Sequence, residues 1–429
     1  MATAHRRSLP TLVPTRGTKR PKPHARLGRT ALVAGVLAST CLSTSAVGAA
    51  TVGRSLNVGA RARAAGSNRT PGTVWIWGDG DIFSAGVAPA KAPGLSDVLA
   101  VAESTDGVGA SGSNGDTSYA VKADGTVWAW GNGTGSELGN GTTNSIASTP
   151  VEVHDLSGVV AIAGAGDGAY AVEGNGTVWA WGTTSTGALG NGEAAVAAAV
   201  RVRVHGLSGA AAVAGGGWGG YALLRDGSVR AWGGDVDGEL GDGARASLSP
   251  VPVRVHGLSD VVSIAASESD GYAVLKDGSV WAWGANDRGQ LGEGTEGAGT
   301  DVPVQVHGLS DVVAVAAYPG SDSIIALRKD GSVWHWGAVA NYESIASNDI
   351  PERVPGLSGV VAVTAGYYTE FAVLHNGTVW GWGDDEDGEM GNNPKYRASF
   401  APNPVQIQGL RGVIAVSGGT ADELAIVAP

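Results

Sequence analysis

A tryptophan-rich stretch that ends in glycine recurs along most of this 429-residue chain. Its seven copies, which read WIWG, WAWG, RAWG, WHWG or WGWG, end at Gly78, Gly131, Gly182, Gly233, Gly284, Gly337 and Gly383. Successive glycines are 53, 51, 51, 51, 53 and 46 residues apart. A fixed period near 50 residues is typical of propellers and solenoids, so it constrains the fold more than any local pattern.

Each repeat divides into four short runs of alternating or apolar residues, as at 260–266, 272–276, 279–283 and 302–306. The second and third runs are separated by Asp-Gly or Asn-Gly, dipeptides that suit a two-residue hairpin turn. These dipeptides begin at Asp124, Asn175, Asp226, Asp277, Asp330 and Asn376. Because four strands make one propeller blade, the sequence predicts an all-β propeller of four-stranded blades.

A Gly-x-Leu-Gly loop, or its methionine variant, follows most of the tryptophan strands. Its apolar residues are Leu138, Leu189, Leu240, Leu291 and Met390. We expect each of these side chains to fill the gap between neighbouring blades. The first and sixth repeats lack the motif, which predicts looser packing at their blade junctions.

The tryptophan strand, the Gly-x-Leu-Gly loop, a Pro-Val-x-Val strand and a Gly-Leu-Ser link recur in a constant order. In these motifs the chain resembles the regulator of chromosome condensation repeat family from Thr73 to Pro429. The resemblance implies a single seven-bladed β-propeller over residues 73–429. The chain enters this region with one tryptophan strand and leaves it with two strands, at 412–417 and 423–427. We therefore expect the strand at 73–78 to pair with the C-terminal strands and close the ring.

The N-terminal segment has the layout of a signal peptide. Eight basic residues and no acid precede an apolar run from Ala31 to Ala38, and Val47-Gly48-Ala49 supplies small residues for cleavage. We expect a signal peptide at 1–49, a flexible lead-in at 50–72 and a secreted mature protein. Twin-arginine export through Arg6 and Arg7, and lipoprotein anchoring at Cys41, are the alternatives.

Charge restricts the class of partner. Removal of residues 1–49 leaves 20 basic and 40 acidic residues, which is a formal net charge of −20. Nucleic acids bind through lysine and arginine on their phosphates, so such a chain is a poor match for them. We expect a monomer that binds a basic protein and has no transmembrane segment after cleavage.

Candidate catalytic or metal-binding groups are explained by the repeat itself. We find no nucleophile with a histidine partner, no paired carboxylates outside turns and no phosphate-binding glycine loop, so we predict no enzyme activity and no cofactor. His154, His205, His256 and His307 recur every 51 residues. Equivalent positions in a ring do not converge unless they lie near its axis. The acidic loops at 235–238 and 384–388 lack the spaced glutamate of a calcium hand, so we expect no metal site.

Strand order predicts that the loops after the first and third strands of every blade share one end of the propeller. We expect this end to display acids and a few aromatic side chains that bind a protein partner. The candidate residues are Asp167, Trp218, Asp235, Asp237, Asp270, Asp322, Tyr367, Tyr368, Asp385, Asp387 and Asp422.

Three functions agree with these observations. The first is a secreted, non-catalytic scaffold for a protein partner, similar to the secreted β-lactamase inhibitors that use this propeller. The second is a propeller that binds cell-wall carbohydrate, in which Trp218, Tyr367 and Tyr368 stack on sugars. The third, implied by the family resemblance, is guanine-nucleotide exchange on a small GTPase. Repeats of 51 residues leave no room for the wedge that this exchange requires, so we rank it last.

Overall fold

The structure is a computed structural model that describes residues 70–78, 88–104, 116–143, 145–166, 168–317, 322–339, 346–367, 369–385, 388–391, 400–420 and 422–429. Its strands form seven antiparallel sheets of four strands each, arranged as the blades of a propeller. The predicted all-β, seven-bladed fold is confirmed. The expected signal peptide and nearly all of the expected lead-in lie outside the described residues.

Six blades consist of four consecutive strands, with the first strand of each innermost. Blade 1 contains β3 (Val98–Ser104), β4 (Thr117–Lys122), β5 (Val127–Gly133) and β6 (Ser145–Glu152). Blade 2 contains β7 (Val159–Ala165), β8 (Gly168–Glu173), β9 (Val178–Thr184) and β10 (Val196–Arg203). Blade 3 contains β11 (Ala210–Gly215), β12 (Gly219–Leu224), β13 (Val229–Gly234) and β14 (Leu248–Arg254). Blade 4 contains β15 (Val261–Ala266), β16 (Asp270–Leu275), β17 (Val280–Asn286) and β18 (Gly297–Gln305). Blade 5 contains β19 (Val312–Ala317), β20 (Ser323–Arg328), β21 (Val333–Val339) and β22 (Ala346–Arg353). Blade 6 contains β23 (Val360–Ala365), β24 (Thr369–Leu374), β25 (Val379–Asp384) and β26 (Phe400–Gln406).

The seventh blade, here called the closure blade, joins the two ends of the chain. Its strands, from outside to inside, are β2 (Ala90–Lys91), β1 (Thr73–Gly78), β28 (Asp422–Val427) and β27 (Val413–Gly418). β1 pairs antiparallel with β28, so that Thr73 lies opposite Val427 and Gly78 opposite Asp422. β27 in turn contacts β3 of blade 1. The predicted closure by the N-terminal strand is confirmed.

Antiparallel pairing divides the connections between two ends of the ring. The loops after the first and third strands lie at one end, which we call the loop face. The Asp-Gly and Asn-Gly hairpins lie at the other end. At Asp124-Gly125 the glycine adopts a φ of 82°, and Asp124 Oδ1 accepts hydrogen bonds from the Thr126 N–H at 2.9 Å and from its hydroxyl at 2.7 Å. The predicted hairpin chemistry is therefore present.

The core consists of layers between the blades. Leu138 of blade 1 packs with Trp181 of blade 2, and Met390 of blade 6 packs with Trp77 of the closure blade. The other three loop leucines occupy the equivalent positions, and all five side chains are buried. Their predicted role between blades is confirmed. The loops of the first and sixth repeats fall on residues outside the described part of the chain, so the looser junctions stay a prediction.

Candidate partner-binding face

The structure separates the eleven candidate face residues into three groups. Asp167, Tyr368 and Asp387 lie outside the described residues. Trp218, Asp237, Asp322 and Asp422 are partly exposed. Asp235, Asp270, Asp385 and Tyr367 are buried, so the expectation that their side chains are displayed is wrong.

Asp235 and Asp385 are buried because they organise the loops that follow the tryptophan strands. Asp235 accepts hydrogen bonds from the backbone N–H groups of Leu240 at 3.2 Å and Ala246 at 2.8 Å. Asp385 accepts one from the Met390 N–H at 3.0 Å. Buried backbone donors need such acceptors, so these carboxylates shape the Gly-x-Leu-Gly loops.

Asp270 and Tyr367 are also part of the interior. Asp270 is 1% exposed and accepts a hydrogen bond from the Ser267 hydroxyl. Burial raises its pKa well above the usual range, and repulsion from Asp322 adds to the shift. Tyr367 packs in the layer between blades 5 and 6, and its N–H donates to the Gly419 carbonyl at 2.9 Å.

Four acids on neighbouring loops of blades 3 to 5 form an acidic cluster at the loop face. They are Asp237 after β13, Glu268 after β15, Asp287 after β17 and Asp322 before β20. Burial raises the pKa of Glu268 to about 7, and repulsion from the other three acids adds to this shift. Burial is the larger cause of this shift, and the three neighbouring acids make the ionised form of Glu268 still less favourable.

One cation opposes this cluster among the described ion pairs. Arg288 Nε lies 3.3 Å from Asp322 Oδ2, and both side chains are about a quarter exposed, at 28% and 21%. Four carboxylates against one guanidinium leave the surface acidic. The cluster therefore favours a partner that brings further positive charge.

Apolar side chains lie on the same face of blade 3. Trp218 is partly exposed, and Val236 is 71% exposed. Trp218 also borders a cleft between blades 2 and 3, whose other lining residues include Gly166, Thr184, Thr186 and Gly217. The Thr186 hydroxyl donates to the Trp218 carbonyl at 2.8 Å and fixes the loop that carries the indole. We call Trp218, Val236 and the four acids of the cluster the loop-face patch.

The enclosed part of the cleft is small. Its volume is ≈ 20 Å³, which is room for about one water molecule or the tip of a side chain. Glycine backbone and threonine hydroxyls line it together with the Trp218 indole.

The repeated histidines are exposed and belong to separate blades. His154, His205, His256 and His307 each follow the outermost strand of their blade. In the described part of the chain, no three side chains of histidine, cysteine, aspartate or glutamate are grouped so as to hold a metal ion. Over the same residues, no helix is long and apolar enough to cross a membrane.

The repeat is also recognised by comparison with known families. The profile of the regulator of chromosome condensation (RCC1) repeat matches residues 124–172, 277–327 and 376–421, and a second profile of this repeat matches 261–290. The chain is built from RCC1 repeats. The resemblance seen in the tryptophan strand and the Gly-x-Leu-Gly loop is thereby confirmed.

Relatives of this RCC1-repeat chain include much longer proteins. It is 31% identical over 373 residues to the human E3 ubiquitin-protein ligase HERC2, an alignment that covers 82% of this chain and 8% of the ligase. It is 28% identical over 228 residues to the mitochondrial RCC1 domain-containing protein RUG3 of Arabidopsis thaliana, covering 50% of this chain and 51% of that protein. The chain thus spans about half, or far less, of the length of these relatives.

The fold is shared with a solved RCC1-type structure. The crystal structure of Prp20p from Saccharomyces cerevisiae, a protein described by its binding to Gsp1p and histones, superposes with a TM-score of 0.71. The two sequences are 22% identical, and the match covers 85% of this chain and 93% of the yeast chain. At this identity the similarity concerns the propeller fold.

Two residues of the loop-face patch were missed in the sequence. Glu268 lies two residues after the innermost strand β15, and Asp287 directly follows the tryptophan strand β17, so both lie in the loops that strand order assigns to this face. The prediction from strand order named Asp270, two residues further along the chain, and not Glu268. The acids around Glu268 come from loops of blades 3, 4 and 5, so sequence spacing does not reveal them.

Proposed function

We propose that this RCC1-repeat propeller is a non-catalytic scaffold that binds a basic protein partner through the loop-face patch. The observation that carries the proposal is the environment of Glu268, whose carboxylate is repelled by Asp322, Asp287 and Asp237. A lysine or arginine from a partner relieves that repulsion. The free protein therefore carries unfavourable interactions that association removes.

The apolar members of the patch supply the second requirement of a protein interface. Binding energy concentrates in a few aromatic or large apolar anchors, whereas charge directs the encounter. Trp218 beside the cleft and the exposed Val236 are such anchors. Together with the acids they form the mixed apolar and charged surface that transient complexes use.

Secretion is part of the proposal and rests on the N-terminal sequence. Eight basic residues, an apolar run and small residues before position 50 support export. Expression of the full chain in an exporting host, followed by mass spectrometry of the secreted protein, tests it. A new N-terminus near Ala50 supports cleavage, and an intact chain retained in the cell contradicts it.

Capture of a partner tests the binding surface. The full chain, immobilised, is incubated with the secreted and envelope proteins of the source cells at low and moderate salt. We expect retained proteins to be basic, and we expect Trp218→Ala to weaken the purified complex by about tenfold or more. Glu268→Gln should also weaken it, and more so at low salt.

Glu152→Gln is the matched control, since Glu152 is an exposed acid at the end of an outermost strand. We expect this variant to bind the partner like the native chain. Equal retention by native, Trp218→Ala and Glu268→Gln proteins contradicts the proposed face. Retention of polysaccharide instead of protein supports the alternative function, binding of cell-wall carbohydrate.

A further inference from the structure

Glu103 is an exception at the axis of the propeller. It occupies the position near the end of an innermost strand where the other six blades carry glycine or alanine. The equivalent residues, matched by their register with the neighbouring strand, are Gly164, Gly215, Ala266, Ala317, Ala365 and Gly418. Small residues are required there because the innermost strands approach each other closely: a β-carbon on Gly164 would clash with the Glu103 carbonyl oxygen. A glutamate at this place therefore needs a specific explanation.

The Glu103 carboxylate is buried without a partner, and so is that of Glu423. Both residues are 0% exposed, and none of their four carboxylate oxygens accepts a hydrogen bond. The Ser417 hydroxyl is near enough to Glu103 to favour its ionised form, but it forms no hydrogen bond of good geometry. Burial of an ionised carboxylate without a compensating partner is strongly unfavourable. Compensation must come from a proton or from a cation.

Oxygen atoms from two blades converge beside Gly419, in the turn between β27 and β28. Glu103 Oε2 and Asp116 Oδ2 lie 3.0 and 2.8 Å from the point that a Gly419 β-carbon would occupy. The Asp422 carbonyl oxygen contacts the same point. Asp116 Oδ2 also accepts a hydrogen bond from the Thr420 N–H, which holds the turn in place. Only glycine fits at position 419, because a β-carbon there would collide with the Asp422 carbonyl and crowd both carboxylates.

We propose that the seam between blade 1 and the closure blade binds one calcium ion through Glu103, Asp116 and the Asp422 carbonyl. The donors are all oxygens and include two carboxylates and a main-chain carbonyl, a set that suits calcium, with water in the remaining positions. Glu423, buried beside them, adds negative charge that attracts the ion. Only two of the ligands are acidic side chains. The site therefore agrees with the finding that, among the described residues, no three side chains of histidine, cysteine, aspartate or glutamate are grouped to hold a metal ion.

The position gives the ion a role in closing the ring. Glu103 and Asp116 belong to blade 1, whereas Asp422 begins β28, the strand that pairs with the N-terminal β1. An ion bound to all three therefore links the first blade to the strand that joins the two ends of the chain. Asp116 is 9% exposed, and Thr420 and Asp422 are partly exposed, so the site is reached from the loop face.

The test uses the full chain after removal of metals with a chelator. Calorimetric titration with CaCl₂ should show one ion per chain, and calcium should raise the unfolding temperature at constant pH. MgCl₂ should bind at least tenfold more weakly, because magnesium demands a stricter octahedral geometry. Glu103→Gln should reduce calcium affinity at least tenfold and abolish the rise in unfolding temperature.

Glu152→Gln is the matched control, because it removes an exposed acid at the end of an outermost strand and should leave calcium binding unchanged. If Glu103→Gln does not fold, as judged by its circular dichroism spectrum, Asp116→Asn takes its place with the same expectation. Two results overturn the proposal. One is the absence of any calcium effect, with Glu103→Gln raising the unfolding temperature in metal-free buffer, which assigns a proton to the carboxylate. The other is equal calcium binding by native and seam variants.

Discussion

The hydroxyl of Tyr119 and the indole N–H of Trp181 donate to the same acceptor, the Glu137 carbonyl, each at 2.8 Å. Tyr119 belongs to blade 1 and Trp181 to blade 2, and their rings meet edge to face with centroids 5.8 Å apart. Tyr221 and Trp283 share the Glu239 carbonyl in the same way, at 2.7 and 2.8 Å. One loop carbonyl thus joins two aromatic side chains across a blade junction.

This junction predicts graded losses of stability. Tyr119→Phe removes one of two donors to a carbonyl that keeps the other, so the free energy of unfolding should fall by about 1 kcal/mol. Trp181→Ala also empties a large buried volume and should cost roughly 3–5 kcal/mol. Denaturant unfolding followed by circular dichroism measures both changes. Trp128→Phe is the control, since its partly exposed indole donates to the Thr126 hydroxyl two residues away, at 3.1 Å, and its effect should be below that of Trp181→Ala.

The junction between blades 5 and 6 predicts a dependence of stability on pH. Glu370 there accepts hydrogen bonds from the Trp382 indole and from the Ser323 hydroxyl, and His335 Nδ1 lies 3.2 Å from its carboxylate. Burial lowers the pKa of His335, but the charge and hydrogen bond of Glu370 outweigh it, so the net shift is upward. The stability that the His335–Glu370 pair contributes to the fold is therefore fully present below the unfolded pKa of about 6.5. It is lost as the pH rises through the higher folded pKa.

Unfolding temperatures of native and His335→Asn proteins between pH 5.5 and 9 check this expectation. The native protein should be the more stable at the acidic end, and the difference should shrink as the pH rises. A difference that is constant over this range contradicts an ion pair between His335 and Glu370. Glu370→Gln in the same series should show a weaker dependence than the native chain, because its carboxylate is absent.

Glu268 also predicts a stability that decreases as the pH rises, in this case because an acid with a raised pKa is harder to ionise in the folded protein. Its folded pKa is about 7, against 4.5 for the unconstrained side chain. The folded state therefore holds the proton more tightly, and its stability decreases as the pH rises between these values. Glu268→Gln should be more stable than the native chain above about pH 7, with the gain vanishing below about pH 4.5. Thermal unfolding of both proteins at several pH values measures this gain in stability. An equal gain at pH 4 and pH 8 argues against repulsion within the acidic cluster.

The closure blade predicts how the chain fails when its ring is opened. Val74 is 0% exposed on β1 and packs with Leu424 and Ile426 of β28. Val74→Asp should separate the strands and leave the edge of β28 unpaired, which favours aggregation. Size-exclusion chromatography should show species larger than those of the native chain. Thr73→Asp, on the same strand but partly exposed, is the control and should elute like the native chain.

Much of the fold could be predicted because the same local sequence signals recur from repeat to repeat. Asp124-Gly125 forms a hairpin through contacts within three residues. A loop leucine or methionine such as Leu138 and a strand tryptophan such as Trp181 recur at the same places in most repeats. The position of β1 beside β28 followed from counting strands at the two ends. These features depend on local turn chemistry and on repetition, both of which are visible along the chain.

The candidate site was harder to predict because burial is set by neighbours from other parts of the chain. Asp235 and Asp237 are two residues apart in one acidic loop, yet Asp235 is buried against backbone N–H groups and Asp237 is partly exposed. Sequence spacing does not distinguish them. Glu268 was missed for the same reason, since its environment comes from Asp237, Asp287 and Asp322, which belong to three different loops.

By itself, then, the sequence determined the strand order, the hairpin turns, the tryptophan layers and the closure of the ring, because these arise from a period repeated seven times. Only the tertiary structure decided which acids face solvent, which shape loops, and that Glu103 and Glu423 lie buried beside Asp116 at the seam. The physical reason is that a carboxylate's role depends on desolvation and on charges brought near it by folding. Neither quantity is encoded in the spacing of residues along one strand.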